Sequence, residues 1–313
     1  VPCGKSTINF GTFYDGTFLP GQSYVSLLIP RGRDTDDDVL LFKSILVQTQ
    51  GITRIPFRLP CAEQGVTLTD ARFELNKAGL HGGALSTPDN YQNAFFNLDN
   101  IKFIQNVAGD KGGAIRASGI RTAVQVHNSE FRENSAGAGG AVSIDSSAGL
   151  QMHTTTGLNN IATTGDGGFL FARFASPILI DAVTIKGSTS KFGGGGIAVY
   201  GSQIALLATT MTQCRAGKRG GGAILLDGEA EAHLLKVDLD DNSATSPETS
   251  GTSSGGSGGH VRVAASSLIV QSQGVVLRWP ETEPVFPVAR LLESTSGTSM
   301  THGVASASGG SVS

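Results

Sequence analysis

The chain has little of several features that would narrow its function directly. Only three of its 313 residues are cysteine and 6% are aromatic. No cysteine pair has the spacing of a zinc site or of a redox Cys-x-x-Cys motif. No apolar run approaches the ~18–20 residues of a membrane span, and a net charge of −3 without a basic stripe argues against nucleic acid as a partner. We therefore expect no transmembrane segment, no metal and no cofactor.

Glycine, in contrast, is abundant, and many of the 43 glycines occur in regularly spaced pairs. Each pair precedes small or apolar residues, and successive pairs are roughly 27 residues apart until a longer last step, a period typical of a solenoid. The second glycines of the pairs are Gly83, Gly113, Gly140, Gly168, Gly196, Gly222 and Gly259.

A second mark repeats in phase with the glycine pairs. It is an apolar residue followed three positions later by a polar one, as in Phe103 and Asn106. Asparagine tolerates left-handed backbone conformations and bonds its neighbours, which suits the corner of a coil. We predict structural corner positions at Asn76, Asn106, Asn134, Asn160, Ser188, Cys214 and Asn242.

The repeats have the composition of strands and turns, with short runs of Val, Ile, Phe, Thr and Ala broken by Gly and Asn. They predict an all-β fold, a right-handed parallel β-helix of about seven or more coils with caps at both ends. Alternation counted from an inward Gly113 places one apolar column inside. Its predicted members are Leu85, Ile115, Val142, Leu170, Ala198, Ile224 and Val261.

These paired marks resemble the repeats of the chlamydial polymorphic membrane proteins and the Pmp-like repeats of other surface proteins. The resemblance rests on Gly-Gly-Ala-[Ile/Leu/Val] and Phe-x-x-Asn, for example Gly113 to Ile115 with Phe103 and Asn106. It covers about residues 73–263 and fades in the fourth and fifth repeats, where Gly157 stands in the Phe position. It implies a β-helical passenger acting in adhesion or surface architecture, secreted or at a cell surface.

We expect four regions along the chain. An N-terminal cap at 1–70 precedes the β-helix at 71–275, which carries an inserted Ser/Gly-rich loop at 245–257. A C-terminal cap at 276–293 then precedes a Ser/Gly-rich tail at 294–313, which has the composition of a linker.

The predicted N-terminal cap contains a segment of ambiguous secondary structure and two of the three cysteines. Val39 to Gln48 follows an acidic run and fits a short amphipathic helix or a buried strand equally well. Cys3 and Cys61 bracket the cap, and we predict a disulfide between them, which implies an oxidising compartment. Cys214, at a corner position, is predicted to be a buried thiol.

The predicted outward face of the glycine strand becomes apolar in repeats four to six. A face of this size exceeds the usual scatter of surface apolar residues and predicts a docking surface. Cover by the cap, loop or tail of the chain itself, or a wrong register, are the alternatives. The predicted partner-binding residues are Phe169, Phe171, Ile197, Val199, Ala223 and Leu225.

Many β-helices degrade acidic polysaccharides, and two features of this sequence superficially resemble the motifs of such enzymes. Asp240 and Asp241 suggest an acid pair, and His260 follows Gly259. The other motifs of polygalacturonase-like enzymes are missing, and we interpret these residues as a corner pair and an outward histidine.

The sequence therefore favours a non-catalytic structural or adhesive protein of a cell surface or extracellular assembly. It would dock a protein partner, or assemble with itself, through the outer face. A divergent carbohydrate-binding or polysaccharide-cleaving β-helix is the alternative, and a subunit of a larger filament or membrane-associated complex is the third reading.

Overall fold

The computed structural model describes residues 39–43, 46–48, 64–87, 94–120, 122–175, 177–244, 259–270, 299–301 and 304–305. Within these ranges every regular element is a β-strand and every pairing between strands is parallel. The strands form four sheets, which we name A to D in the order in which the chain visits them.

Sheet A consists of Val39–Lys43 (β1), Gln64–Thr69 (β3), Ala94–Asp99 (β7), Ala123–His127 (β11), Gly149–His153 (β15), Ile178–Asp181 (β19), Gln203–Leu207 (β23), Glu231–Leu235 (β27) and Ser267–Val270 (β31). Sheet B consists of Leu46–Gln48 (β2), Arg72–Glu74 (β4), Lys102–Ile104 (β8), Glu130–Arg132 (β12), Thr156–Leu158 (β16), Thr184–Lys186 (β20), Thr210–Thr212 (β24), Asp238–Asp240 (β28) and Ser299–Thr301 (β32).

Sheet C consists of Lys77–Ala78 (β5), Val107–Ala108 (β9), Ser135–Ala136 (β13), Ile161–Ala162 (β17), Thr189–Ser190 (β21), Arg215–Ala216 (β25), Ser243–Ala244 (β29) and Val304–Ala305 (β33). Sheet D, which follows the glycine pairs, consists of Leu85–Ser86 (β6), Ile115–Ser118 (β10), Val142–Asp145 (β14), Leu170–Arg173 (β18), Ile197–Tyr200 (β22), Ile224–Asp227 (β26) and Val261–Ala264 (β30).

Each coil of the chain adds one strand to each sheet. Every fourth strand is hydrogen-bonded to the equivalent strand of the next coil, as β11 is to β15 and β10 to β14. The result is a parallel β-solenoid with one continuous apolar core between the sheets. This architecture confirms the predicted fold class.

The predicted corner asparagines form a buried ladder between sheets B and C. Asn76, Asn106, Asn134 and Asn160 have no exposed surface. The Nδ2 atom of each of the first three donates to Oδ1 of the next, at 2.8, 2.9 and 3.0 Å. The left-handed backbone falls on the residue before each asparagine, for example Glu133 with φ of 55°. The role of the asparagines is therefore the hydrogen bonding of their side-chain amides, and the residues before them form the bend of the backbone.

Replacing Asn134 with alanine is expected to destabilise the protein by about 3 kcal/mol, because the substitution strips buried donors and acceptors of their partners. The Asn134 side chain accepts from the backbone and side-chain nitrogens of Asn106 and donates to the carbonyl of Phe103. Urea unfolding followed by circular dichroism measures the change. Asn128→Gly, at an exposed corner with φ of 50°, is the control and is expected to cost less than about 1 kcal/mol. Equal losses for the two variants would contradict a structural ladder.

The ladder changes character where Ser188 and Cys214 replace asparagine. Both side chains are fully buried, and Ser188 Oγ has no hydrogen-bond partner among the residues that the structure describes. Burial raises the pKa of the Cys214 thiol to about 12, so it stays protonated. The ladder resumes at Asn242, whose Oδ1 accepts from the backbone nitrogen of Cys214.

A column of aromatic rings runs inside sheet B. Phe73, Phe103 and Phe131 are stacked with centroids 5.2 and 4.7 Å apart. The next position in register is Gly157, and the space is filled by Phe169 from sheet D's side of the same coil, whose ring meets Phe131 edge-on at 5.7 Å. A side chain at Gly157 would collide with the Phe169 ring, 2.6 Å from Cδ2. In the degenerate fourth repeat, the small Gly157 in sheet B is therefore compensated by the large Phe169 of the same coil, which fills the space that a phenylalanine at 157 would occupy.

The inward column of sheet D matches the prediction at six of seven positions. The register joins Leu170 to Ile197 and Ile197 to Ile224, so Ile197 and not Ala198 belongs to the column. The fifth repeat contains a run of four glycines, Gly193 to Gly196. The one with the left-handed backbone that the first glycine of the other pairs has is Gly194, with φ of 61°. The pair is therefore Gly194–Gly195, and counting from Gly196 shifted the predicted register by one residue.

Solenoid strands extend beyond the predicted limits at both ends. Val39–Lys43 and Leu46–Gln48 are strands paired with β3 and β4, which excludes the helix considered for this segment and moves the solenoid into the predicted cap at 1–70. Ser299–Thr301 and Val304–Ala305 pair with β28 and β29, inside the stretch predicted to be a tail. The predicted cap at 276–293 and the loop at 245–257 lie entirely outside the described residues.

Candidate functional site

The outer face of sheet D, where the docking residues were predicted, carries the densest charge network among the residues that the structure describes. Two columns of side chains point outward from its strands. The first consists of Ser86, Arg116, Ser143, Phe171, Ala198, Leu225 and Arg262, and the second of Ser118, Asp145, Arg173, Tyr200, Asp227 and Ala264.

Phe169 and Ala223, predicted to point outward, lie in the core. Each stands between a glycine pair and the first residue of a strand, since β18 begins at Leu170 and β26 at Ile224. The residue after the pair is still part of the corner, so it and the following residue both face inward. Strict alternation begins only with the strand, and counting it from the glycine was wrong.

Ile197 and Val199 also lie in the core and not on the outer face. Their misplacement follows from Gly196, the extra glycine after the Gly194–Gly195 pair, because a shift of one residue exchanges the two faces of a strand. Four of the six predicted docking residues are therefore core residues.

Phe171 and Leu225 do point outward, together with Ala198, but the chain itself covers them. Phe171 is 7% exposed and Leu225 is 1% exposed. Ala138 and Tyr200 pack against this cluster. Lys111 and Ala138 belong to the segments before the glycine pairs and are bridged to each other in parallel, and Lys111 Nζ lies 5.7 Å from the centre of the Phe171 ring. The apolar cluster is a second, small core between sheet D and these segments.

Asp145 is the centre of an ion-pair cluster beside this covered core. Its side chain is almost fully buried, and Lys111 Nζ lies 3.1 Å from Oδ1. Arg173 Nε lies 3.8 Å from Oδ1, and Arg116 Nε lies 3.9 Å from Oδ2. Since Lys111 comes from the covering segment and Arg116 and Arg173 from sheet D, the carboxylate ties the two layers together.

Asp166, Tyr200 and Arg219 form a second connection between the same layers. The Tyr200 hydroxyl donates to Asp166 Oδ2 at 2.8 Å and accepts from Arg219 Nη1 at 2.9 Å. The backbone nitrogen of Gly193 donates to the other Asp166 oxygen at 2.7 Å. Each side-chain oxygen of Asp166 and Tyr200 is therefore hydrogen-bonded within the protein. We call these three residues the clasp, because they join the two layers.

The titration behaviour of the clasp fits a structural role. Burial raises the pKa of Asp166, against the opposing effect of the hydrogen bond from Tyr200. Burial and the neighbouring Asp166 raise the pKa of Tyr200 well above its ordinary value, so the hydroxyl stays protonated. A tyrosine in this state donates a hydrogen bond at neutral pH and does not act as a base.

A column of histidines and aspartates on the outer face of sheet A was missed from the sequence. Asp99, His127, His153 and Asp181 occupy the same outward position on four successive strands. The two imidazole centroids are 6.3 Å apart, and His153 Nδ1 lies 3.0 Å from Asp181 Oδ2. The four residues are separated by about one repeat along the chain, so aligning the outward positions of successive repeats is the signal that finds them.

His127 is expected to make the protein less stable as the pH falls. Burial lowers its pKa, His153 lowers it further, and Asp99 acts in the opposite direction. The folded state therefore binds this proton less readily than the unfolded chain, and the contribution of neutral His127 to stability, complete above its unfolded pKa, is lost as the pH falls from about 6.5 towards the folded value. Melting temperatures between about pH 7.5 and 5 should decline less steeply for His127→Gln than for the wild type. An identical or steeper decline in the variant would contradict this assignment.

A polar groove at the corner between sheets A and B was also missed. It has a volume of 380 Å³ and spans three coils. Two of its asparagines are tied to aspartates of the preceding coil, Asn100 to Asp70 at 2.6 Å and Asn128 to Asp99 at 2.8 Å. The lining residues are Asn100, Lys102, Asn128, Ser129, Glu130, Thr154 and Thr156.

The residues once considered for polysaccharide cleavage are not brought together as a catalytic group. Asp241 has a left-handed backbone at the corner, with φ of 49°. His260 was predicted to point outward, but it is fully buried, with Nδ1 3.2 Å from Nδ2 of Asn242. It occupies the corner place of Ala223 in the next coil, and therefore faces inward for the same reason.

Cys214 is buried and unpaired, while Cys3 and Cys61 lie outside the described residues, so the predicted disulfide stays a prediction. In the described part of the chain no three His, Cys, Asp or Glu side chains come close enough together to hold a metal ion. The same part contains no helix that is long and apolar enough to cross a membrane. No protein-family model, curated protein or solved structure matches the chain.

Proposed function

We propose that the protein is a non-catalytic β-helical rod that serves as a structural or adhesive component of a cell-surface or extracellular assembly. The observation that carries this proposal is the pairing of side chains from coil to coil, both inside and outside the body. Inside, the buried amides run from Asn76 to Asn160 without a break. Outside, like or complementary groups bond between neighbouring coils, as Gln125 does with Gln151 and Gln105 with Glu133.

Side-chain pairing from coil to coil favours a rigid body, as a structural component requires. Each coil buries an apolar face against its neighbours, and each added polar pair strengthens the same axial contact. The charged groups beside sheet D fit this role as well, since Asp145 on the sheet and Asp166 on the covering segments join the two layers. The covered cluster around Phe171 is no longer a candidate for docking, so partners would meet the corners and the outer faces of other sheets.

The location is tested by treating intact producing cells with a protease and detecting the protein with an antibody. We expect loss of the full-length chain from intact cells, with a cytosolic protein preserved as the control. A chain that survives until the cells are lysed would contradict a surface role. Incubation of the purified protein with polygalacturonate and related polysaccharides should release no products, and saccharide release above a heat-denatured control would contradict the non-catalytic part.

A second candidate function is carbohydrate binding, favoured by the polar groove between sheets A and B. Its size lies within the range of small-ligand sites. The walls offer hydroxyl and amide groups together with one cation, Lys102, and one carboxylate, Glu130. A neutral, hydroxyl-rich oligosaccharide matches this lining.

A glycan array probed with the whole protein tests this second function. Thr156→Lys places a long side chain in the groove and is expected to lower the retention of a bound glycan at least about tenfold. Thr184→Lys is the matched control, because Thr184 holds the same register position one coil further on and is not part of the lining. Retention of no glycan, or equal retention by the two variants, would remove carbohydrate binding from consideration.

A further inference from the structure

Phe174 stands in an unusual place at the corner between sheets D and A. It is 65% exposed, and it is the only aromatic residue with a left-handed backbone among those the structure describes, with φ of 49°. A bulky residue is disfavoured in that conformation, and an exposed aromatic ring gains little from its own fold. At the same corner the neighbouring coils place Ser146, Gly201, Gly228 and Ala265, all with a left-handed backbone and all much smaller than phenylalanine. Two unfavourable features at one residue indicate a role outside the folded body.

The ring of Phe174 lies along the corner and rests on the next coil. A Cβ atom at Gly201 would come within 2.7 and 2.8 Å of the ring's Cδ1 and Cε1 atoms, so the ring occupies the space that a side chain at Gly201 would take. One side of the ring is therefore seated on backbone while the side chain as a whole stays largely open to solvent.

Charges of opposite sign lie on either side of this ring. The residue before the corner is Arg173 on one coil, Tyr200 on the next and Asp227 on the third, joined in register. The Arg173 side chain is 50% exposed, and its ion pair with Asp145 is shared with Lys111. Beyond Gly228 the exposed Glu229 adds a second carboxylate to the third coil, and its side chain has no ion pair within the described part of the chain.

We infer that this corner is an interface with a second copy of the chain, arranged antiparallel about a two-fold axis at Gly201. The axis exchanges the coil before Gly201 with the coil after it. Arg173 of each copy then faces Asp227 and Glu229 of the other, and the two Phe174 rings meet at the centre. An apolar centre with a charged rim is the usual order of a protein interface, and a self-complementary patch is what a two-fold axis requires.

The residues further along the edge allow two bodies to approach. Ser146 and Ser147 lie one coil before Phe174, and Ala265 and Ser266 one coil after Gly228. The same axis places these two small pairs opposite each other, so at these positions no large side chain of the described residues stands between the edges. Because a corner presents a narrow surface, we expect a weak dimer, with a dissociation constant on the order of 10–100 µM.

This inference deepens the proposed function by naming one partner of the rod, a second copy of itself. Sedimentation velocity over a range of concentrations tests it with the whole chain. The wild type is expected to shift from monomer to dimer, and Phe174→Ser should raise the dissociation constant at least about tenfold. A wild type that stays monomeric, or a dimer that Phe174→Ser leaves unchanged, would overturn the inference.

Charge exchange identifies the contact itself. Arg173→Glu and Glu229→Arg should each weaken the dimer, because like charges then face each other, and the double variant should return the dissociation constant to within about threefold of the wild type. Lys186→Glu, an exposed reversal on sheet B, is the control and should change nothing. A double variant no better than the single ones would contradict the antiparallel arrangement. The protease experiment on intact cells does not depend on dimerisation, so the two proposals fail separately.

Discussion

Gly113→Ala is expected to destabilise the solenoid by at least about 4 kcal/mol, or to prevent its folding, for a reason that lies in the backbone. An added Cβ atom would lie 2.6 Å from the backbone nitrogen of Ser135 and 2.7 Å from its carbonyl oxygen, and it would also collide with the carbonyl of Gly140. Backbone atoms of neighbouring coils cannot move aside as a flexible side chain can, since they belong to the ladder that joins the coils. Soluble yield and urea unfolding followed by circular dichroism measure the effect.

Gly79→Ala is the matched control for this prediction. Gly79 belongs to the same repeated region, has no left-handed backbone, and has no atom within 4 Å of the position that a Cβ would take. Alanine there should change the stability by less than about 1 kcal/mol, and the stiffer unfolded chain favours a small gain. A loss at Gly79 comparable to that at Gly113 would show that steric contact between coils is not the reason for the glycine pairs.

Phe169→Ala should destabilise the protein by about 3–5 kcal/mol, the range for removing a fully buried phenylalanine. The ring fills the position left by Gly157 in the aromatic column, so its loss opens a cavity beside Phe131. Gly157→Phe alone should also be costly, because two rings would then compete for one space. Thermal and urea unfolding measure both changes.

The double variant Gly157→Phe/Phe169→Ala is the decisive test of this compensation. It gives the fourth repeat the arrangement of the third, in which Phe131 is combined with Ala141. Its stability should lie within about 1 kcal/mol of the wild type, so the two single losses are strongly non-additive. If the losses simply add, Phe169 and Gly157 do not share one space.

Much of the fold could be predicted from the sequence, and the corner residues are the clearest example. Asn106 and Asn134 were recognisable as corner residues because polar side chains at a fixed period, after an apolar residue, leave few structural interpretations. The glycine pairs located the turn before sheet D for the same reason. The predicted bounds of the solenoid were too narrow, since Val39–Lys43 and Val304–Ala305 lack both marks and join the sheets only through backbone pairing.

The candidate site was harder to predict, because facing depends on single residues. Counting alternation from Gly168 assigned Phe169 to the surface, while the true strand begins one residue later than that count requires. In the fifth repeat, counting from the extra glycine Gly196, directly before Ile197, then exchanged the two faces of the strand. Since the side-chain period of a strand is two, an error of one residue in the predicted register assigns a buried side chain to the outer face.

The sequence by itself determined the repeat, the parallel strands and the buried corner amides, because each depends on short patterns that every coil repeats. Only the tertiary structure decided which outward residues are free. Phe171 and Leu225 are closed off by segments from preceding corners, and Phe174 is left exposed over Gly201. The physical reason is that local alternation sets the direction of a side chain, whereas its cover comes from other coils, about 27 or more residues away along the chain.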